Sequence, residues 1–169
     1  DDSGVTCWGL HEANIDGGQT DVPDTLINIS QVSASGDYIT CALNIAVRTG
    51  GVTCWPEPDV YNQSKVPGTL SNTTQVSTGS YHACALDESG VTCWGWNRYG
   101  QVTVPALSNP TQVSAGGYHT CALDVSDVTC WGHNSNGQTD IPDTLSNPTQ
   151  VSAGRFHTCA LDDNGVTCW

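Results

Sequence analysis

The chain has 169 residues, with four Lys and Arg against 17 Asp and Glu and a formal net charge of −13 at neutral pH. This charge argues against nucleic acid and anionic membrane surfaces as partners, because both carry the same sign as the protein. A chain of this length ordinarily forms one domain, and no apolar run approaches the roughly 20 residues that a membrane-spanning helix needs.

The tetrapeptide VTCW occurs five times and divides the chain into repeats, ending at Trp8, Trp55, Trp94, Trp131 and Trp169. Successive tryptophans are 47, 39, 37 and 38 residues apart. A period of this size is typical of propellers and solenoids, whose units bury their apolar faces against each other. The chain is therefore predicted to be a single repeat domain over 1–169, with a partial blade at 1–8 and repeats at about 9–55, 56–94, 95–131 and 132–169.

Three segments of each repeat favour β-strands. The QVSA, CAL and VTCW segments suit a pleated surface, and the polar residues between CAL and VTCW favour a tight turn. A stretch before a proline, at 103–105 or 140–142, is a candidate fourth strand because proline is tolerated at a strand end. Both faces of the predicted sheet are apolar, which suits a blade packed between two others. The predicted fold is an all-β, propeller-type array of antiparallel blades with three or four strands.

Eight of the nine cysteines recur in pairs at fixed places in the repeats. Placing Cys84 opposite Cys93 in a hairpin sets Leu86 opposite Val91 and leaves a four-residue loop at 87–90. Directly opposed residues lie ~4.5 Å apart, within reach of a disulfide. The predicted disulfides are Cys41–Cys54, Cys84–Cys93, Cys121–Cys130 and Cys159–Cys168. Cys7 has no partner in this scheme and is a candidate for an intermolecular bond. Such pairs favour a secreted or cell-surface location.

The order of motifs resembles the repeat of the regulator of chromosome condensation family. Each repeat runs through SAG, an aromatic residue, His, CAL, a turn, VTCWG and an Asn-x-x-Gly-Gln segment, and the pattern covers essentially the whole chain. More narrowly, it resembles the cysteine-bearing form found in secreted and surface proteins of bacteria. The resemblance implies a β-propeller, usually of seven blades. Family members include an exchange factor for a small GTPase, a β-lactamase inhibitor and many extracellular repeats, so the fold alone does not choose a function.

A histidine recurs at one phase of the repeat, at His82, His119 and His157, and Ile39 replaces it in the first complete repeat. Histidines beside cysteines could ligate zinc. The alternative is a buried histidine that bonds a backbone group beside a disulfide, and Ile39 indicates that a blade forms without it. We favour the alternative and expect no metal and no cofactor. The preceding phase is aromatic and is assigned to the scaffold, at Tyr38, Tyr81, Tyr118 and Phe156.

Residues that depart from the repeat are the candidate binding residues. The second position after the repeat tryptophan varies, and the copies carry Leu10, Glu57, Trp96 and His133. Clustered Trp, Arg and Tyr on one loop have the composition of a binding hot spot. The predicted binding residues are Trp96, Arg98, Tyr99, His133 and Tyr61. Packing of these side chains over the blade edge is the alternative explanation.

The first complete repeat is longer than the others. Its hairpin loop spans 44–51, and Ile45, Ala46 and Val47 are apolar in what should be an exposed turn. This favours an interface with another subunit. The alternative is tolerated sequence variation in an exposed loop. All four basic residues also lie off the repeated framework, at Arg48, Lys65, Arg98 and Arg155.

No sequence motif indicates catalysis. His11-Glu12 is half of a zincin motif, and no glycine-rich loop follows a strand and opens a helix. We therefore expect no enzyme activity. Asn28, Asn62 and Asn72 each begin an Asn-x-Ser/Thr triplet and are candidate glycosylation sites in a secreted protein.

We interpret the chain as a non-catalytic extracellular scaffold that binds protein, either itself or an extracellular partner, and a subunit of a surface fibre or other homopolymer is one specific form. The alternative is a ligand-binding or enzyme-inhibiting propeller that acts through its variable loops, and an exchange factor for a small GTPase is a more distant one. The first hairpin lacks its cysteine-bearing strand. This is expected of a segment of a longer array, an arc completed by a second chain or a polymer subunit.

Overall fold

The computed structural model describes residues 4–9, 18–35, 38–46, 50–56, 60–125 and 127–169. Within these residues the chain forms four antiparallel sheets of three strands, one for each repeat, which we call blades 1 to 4. No helix among the described residues is long and apolar enough to cross a bilayer. The four sheets confirm the predicted all-β propeller-type architecture.

The strands follow the chain in order within each blade. Blade 1 contains β1 (Gln31–Ala34), β2 (Thr40–Leu43) and β3 (Val52–Trp55). Blade 2 contains β4 (Gln75–Thr78), β5 (His82–Asp87) and β6 (Gly90–Gly95). Blade 3 contains β7 (Gln112–Ala115), β8 (His119–Leu123) and β9 (Val128–Gly132). Blade 4 contains β10 (Gln150–Ala153), β11 (Thr158–Asp162) and β12 (Gly165–Cys168).

The candidate fourth strand does not form, so each blade has three strands. Residues 103–105 and 140–142 lie outside the sheets. The Thr103 amide instead closes a turn onto the Gly100 carbonyl at 2.9 Å, and the Asp140 amide bonds the Gly137 carbonyl at 2.9 Å. The prolines that follow have no N–H with which to join a ladder.

The hairpin register matches the prediction, except that the ladder is one pair longer. Cys84 lies opposite Cys93 and Leu86 opposite Val91, but Asp87 also pairs with Gly90, which leaves a two-residue loop instead of four. The Asp87 carboxylate holds this tight turn by accepting a hydrogen bond from the Ser89 amide at 2.8 Å. All four predicted disulfides form, each with a Cα–Cα distance of 4.0 Å.

Blades 1 to 3 each bury their disulfide face against the next blade. Cys84 and Leu86 of blade 2 pack on Val113 and Ala115 of blade 3, and blades 3 and 4 repeat the arrangement. The opposite face of each blade carries the repeat tryptophan, and Trp94 of blade 2 packs in the core shared with blade 1. We call each interface between consecutive blades a seam.

The innermost strands are joined by side chains and not by a backbone ladder. Gln75 accepts a hydrogen bond from the Val113 amide at 2.8 Å, and Ser77 accepts one from the Ala115 amide at 3.0 Å. The same Gln and Ser positions bond the next blade at all three seams. These contacts satisfy amides that would otherwise lack a partner at a strand edge.

A buried histidine crosses two of the seams. His82 Nε2 lies 2.9 Å from Thr120 Oγ1, and His119 Nε2 lies 2.9 Å from Thr158 Oγ1. Thr120 gives its own proton to the Gln101 carbonyl at 2.9 Å, so the imidazole of His82 is the donor. The expectation that these histidines bond a backbone group is therefore wrong. The partner is a threonine hydroxyl in the next blade.

The seam between blades 1 and 2 replaces this polar pair with an apolar one. Ile39 takes the place of the histidine and Ala83 takes the place of the threonine. Both are buried in one core cluster, with exposed fractions of 1% and 0%. The change of both positions avoids a lone histidine, which would lose its hydrogen bond in a dry seam.

The seam histidines are neutral at pH 7. Burial, followed by the nearby charge of His119, lowers the pKa of His82 to about 3. Burial, followed by the charges of His157 and His133, lowers the pKa of His119 to about 4. In the unfolded chain both groups titrate near the ordinary pKa of about 6.5.

We expect the free energy of unfolding to fall as the pH drops from about 6.5 towards 4, because the unfolded chain binds protons there that the folded seams exclude. His82 alone accounts for about 3 kcal/mol of this loss of stability by pH 4. Urea unfolding at several pH values measures the slope. The double variant H82I/T120A copies the seam of Ile39 and Ala83, so its loss of stability between pH 6.5 and 4 should be smaller by the contribution of His82. An unchanged slope in this variant would contradict the assignment.

Candidate interaction surface

The two ends of the blades differ in structure. Because the strands are antiparallel, the turns between the second and third strands lie at one end, which we call the hairpin end. The loops between the first and second strands, and the segments that follow VTCW, lie at the other. We call this other end the loop end; in blades 2 and 3 it includes residues 79–81, 95–101, 116–118 and 132–138.

Among the described residues, eight rings contact one another along the loop end, and we call them the aromatic band. Its members are Tyr38, Tyr61, Tyr81, Trp96, Tyr99, Tyr118, His133 and Phe156. The chain has five tyrosines and one phenylalanine, and all six are in the band. Trp96, the one tryptophan outside the VTCW motifs, is there too.

The first row of the band comes from the loops between the first and second strands. Tyr38 stacks on Tyr81 with ring centroids 4.9 Å apart, and Tyr81 stacks on Tyr118 at 6.0 Å. Phe156 continues the row in blade 4, at 6.2 Å from Tyr118. One aromatic residue from each blade thus forms a continuous line across the domain.

The second row comes from the segments after the repeat tryptophan and interlocks with the first. Trp96 lies 5.6 Å from Tyr81 and 5.7 Å from Tyr118, in edge-on contacts. Tyr99 lies 5.5 Å from Trp96 and 4.5 Å from His133. Edge-to-face contacts at these distances are favourable for aromatic rings.

The structure therefore brings together four of the five predicted binding residues, Trp96, Tyr99, His133 and Tyr61, and it places Arg98 exposed in the same loop. Sequence reasoning missed the first row by assigning it to the scaffold. The available signal was that every tyrosine falls in a segment that the repeat pattern places at the loop end. Leu10 and Glu57 lie outside the described residues.

Buried glutamines of the repeat hold the second row in place. Gln101 is fully buried, and its side-chain carbonyl accepts the Tyr99 amide at 3.0 Å. Its backbone carbonyl accepts the Trp131 indole N–H at 2.9 Å, which ties the loop to the blade. The Gln138 side-chain carbonyl likewise accepts the Asn136 amide at 2.9 Å, and its side-chain amide lies 3.0 Å from His133 Nδ1. The repeated framework thus orients the variable side chains.

The band is partly exposed and has a polar surround. Tyr38, Tyr99 and Phe156 are 42%, 41% and 44% exposed. Asn97, Arg98, Asn134, Ser135 and Asn136 are exposed in the adjoining segments. Tyr and Trp with Asn, Ser, Gly and Arg are the residues that dominate protein-binding loops.

Among the described residues, basic side chains lie near the loop end, whereas acidic side chains are found near both ends. Lys65, Arg98 and Arg155, the described cations, lie in loops on the side of the aromatic band, and the Arg155 guanidinium is 5.3 Å from the Phe156 ring centre. Carboxylates occupy the turns of the hairpin end, at Asp87, Glu88, Asp124, Asp127, Asp162 and Asp163. Of the basic residues, Arg48 lies outside the described residues.

The other candidates from the sequence do not join this surface. Cys84, next to His82, is committed to a disulfide, so its thiolate is not free for a metal. Within the described residues, no three His, Cys, Asp or Glu side chains are placed to hold a metal ion. Cys7 is partly buried against blade 1, and this burial raises the pKa of its thiol. Ile45 is 65% exposed, while Val47 lies outside the described residues.

The glycosylation candidates have a structural explanation in the turns. Asn28 and Asn72 are exposed and adopt a φ of 52°, and Asn109 and Asn147 do so at the same phase with 55° and 49°. Asparagine tolerates this left-handed conformation better than most residues. The Ser or Thr two residues later bonds a leucine carbonyl of the second strand in each blade. Asn62 is also exposed, with a φ of 56°.

Tyr118 is the centre of the band, with ring contacts to Tyr81, Trp96, Tyr99, His133 and Phe156. We expect Y118A to reduce the near-ultraviolet circular dichroism strongly, because the neighbouring rings lose their fixed partner. Y118F keeps the ring and should preserve the signal. Far-ultraviolet spectra of both variants check that the sheets remain. A Y118A near-ultraviolet spectrum equal to that of the unmodified protein would show that the band is not ordered.

Comparison with known proteins identifies a known repeat in blades 2 to 4. The profile of the regulator of chromosome condensation (RCC1) repeat matches residues 74–101, 111–138 and 149–169. No curated protein sequence matches the chain. The ectodomain of the receptor kinase CR4 from Physcomitrella patens is 27% identical, with a TM-score of 0.68 over 83% of this chain and 40% of that one.

Two further structures are similar. The ectodomain of the receptor kinase ACR4 from Arabidopsis thaliana is 28% identical, with a TM-score of 0.62 over 79% of this chain and 53% of that one. Prp20p from Saccharomyces cerevisiae, described with its binding to Gsp1p and histones, is 19% identical, with a TM-score of 0.70 over 83% of this chain and 45% of that one. The chain thus spans about half the length of these proteins or less. Blades 2 to 4 thus match the RCC1 repeat, and all four blades have the propeller architecture of these structures.

Proposed function

We propose that the chain is a non-catalytic, extracellular scaffold that binds a protein partner through the aromatic band. The observation that carries this proposal is the concentration of every tyrosine and the single phenylalanine at one end of the blades. Tyr, Trp and Arg contribute most of the binding energy at protein interfaces.

The rigidity of the band supports the same function. Its second row rests on buried Gln101 and Gln138, and its rings hold each other through contacts between blades. A surface that is already ordered loses little conformational entropy on binding. The mixture of rings with exposed Asn, Ser and Arg supplies both apolar contact area and hydrogen bonds for a protein surface.

The disulfides support an extracellular location. Each blade carries one disulfide, and those of blades 1 to 3 lie in the seams. Reduction of one disulfide would remove a cross-link that contributes roughly 2 to 3 kcal/mol to stability. Such bonds persist in oxidising compartments. Two of the similar structures are ectodomains of receptor kinases. The likeness to Prp20p, at 19% identity, supports the fold alone, so its binding to Gsp1p and histones is not carried over to this chain.

A subunit of a surface fibre or other homopolymer is one specific form of this scaffold, in which the partner is a second copy of the chain.

The partner-binding function is tested with the double variant W96A/Y99A. The immobilised chain and its variants are exposed to extracellular protein from the source organism, and each retained protein is purified and its affinity measured. We expect W96A/Y99A to weaken binding about 30-fold or more, the effect of losing 2 kcal/mol at a hot spot. The control V125A changes a 75%-exposed residue at the hairpin end and should bind normally. Equal affinities for both variants would contradict the proposal.

A further inference from the structure

Blade 3 differs from its neighbours in the segment that leads into its first strand. We call this segment the strap, and it spans 66–74 in blade 2, 104–111 in blade 3 and 141–149 in blade 4. In blade 2 the Leu70 amide closes a turn onto the Pro67 carbonyl, three positions earlier, and the strap of blade 4 repeats this turn. The strap of blade 3 has one residue fewer, so Leu107 stands only two positions after Pro105 and this turn is lost.

Blades 2 and 4 also tie the strap to their own hairpin with two hydrogen bonds. The Ser71 amide donates to the Asp87 carboxylate at 3.1 Å, and the Asn72 side chain donates to the Glu88 carboxylate at 2.8 Å. The equivalent serine and asparagine of blade 4 make the same two bonds. In these blades the strap is therefore held against the hairpin.

Blade 3 has neither bond among its described residues. Val125 stands at the place of Glu88 and has no side-chain atom that accepts a hydrogen bond. The carboxylate before it, Asp124, accepts the Asp127 amide at 3.1 Å. The side chain of Val125 is 75% exposed, in a turn where blades 2 and 4 carry a carboxylate.

A groove of about 550 Å³ lies between the hairpin of blade 2 and the strap and hairpin of blade 3. Its apolar lining includes Val91 of blade 2, Val104 and Leu107 of the strap and Val125. Val91, Val104 and Leu107 are half-buried, so each keeps an accessible surface. Blades 2 and 3 are both flanked by other blades of the chain, so the groove belongs to the continuous part of the array.

Carboxylates border this apolar groove on both sides. Asp87 and Glu88 line it from blade 2, and Asp124 and Asp127 stand in the same turn of blade 3 as Val125. Glu88 and Asp127 are exposed. Among the described residues, none of those that line the groove is basic. An apolar groove with a negative rim is complementary to an apolar side chain that has Lys or Arg beside it.

We propose that this groove binds a basic peptide segment of a second protein, with an apolar side chain in the groove and lysine or arginine side chains against the carboxylates of its rim. The groove is a second interaction surface, and it does not depend on the function proposed for the aromatic band. A second copy of this chain is a poor occupant, because the chain has 17 acidic residues and only four basic ones. The same imbalance accelerates the encounter with a basic segment at low salt.

The test titrates the intact chain against a fluorescent peptide of sequence Lys-Lys-Leu-Leu-Lys-Lys, at chain concentrations up to about 1 mM. We expect saturable binding that weakens as salt is added. A peptide with Glu in place of each Lys should not bind. A peptide with Ser in place of both Leu should bind about 5-fold more weakly or worse, because it has no side chain for the apolar groove.

Variants of the chain locate the site. V125S removes an apolar side chain of the groove and should weaken the leucine peptide about 10-fold. V60S is its matched control, because Val60 is 84% exposed in a segment of the loop end. E88Q removes a charge of the rim but keeps an acceptor for Asn72, and it should weaken binding about 3-fold at low salt. D163N removes a carboxylate at the same hairpin position of blade 4 and should bind like the unmodified chain.

Three results would overturn the proposal. The first is no saturable binding of the leucine peptide. The second is equal binding of the serine peptide, which would show attraction by net charge alone. The third is equal affinity of V125S and V60S. W96A/Y99A should bind the peptide normally, so this proposal and the aromatic band can fail separately. A natural partner held by the groove would be weakened by V125A and not by W96A/Y99A, the reverse of a partner held by the band.

Discussion

The structure depends on the hydrogen bonds that the innermost strand of each blade makes to the next. A three-stranded sheet with two apolar faces cannot bury either face alone, so a blade is stable only between neighbours. The Gln and Ser side chains of one inner strand bond the amides of the following strand, and they also set the register in which the disulfide of one blade meets the valine of the next. Packing and polar satisfaction are thereby achieved in the same contact.

The buried framework recurs in each repeat, whereas side chains at the loop end differ between repeats. Buried residues of each repeat, such as Gln101 and Gln138, bond backbone amides of the adjoining loops. The side chains at the loop end are supported from below by these bonds, so they can vary without a cost in folding. The second row of the aromatic band occupies this variable layer. A rigid repeat with a changeable surface is the arrangement that interaction scaffolds use.

Much of the fold could be predicted from the sequence because the repeats act as internal comparisons. The positions of cysteine and tryptophan defined the hairpin, its register and its disulfides, since opposed cysteines admit one pairing. The partner of His82 could not be predicted, because Thr120 lies 38 residues away and contacts it only when two blades pack. The sequence did carry a trace of this contact, since Ile39 precedes a repeat with alanine where the others have threonine. The four-residue loop was wrong because Asp87 tightens the turn with its own side chain.

The candidate site was predicted less completely for a related reason. Trp96 and Tyr99 stood out because they interrupt the repeat, whereas Tyr81 and Tyr118 were set aside because they recur in it. A recurring residue can belong both to the framework and to the surface when the repeat places it at a blade end. Only the spatial arrangement shows that the two rows form one band.

Amide hydrogen exchange tests the central claim, that side-chain bonds between inner strands unite the blades, most directly. The account predicts slow exchange at the amides of Val76, Val113 and Val151, which donate to glutamines of the preceding blade, with protection close to that of global unfolding. The amide of Val32, at the same position in blade 1, should exchange much faster under conditions in which the chain is monomeric. If the amides of Val76, Val113 and Val151 exchanged as fast as that of Val32, this claim would be contradicted.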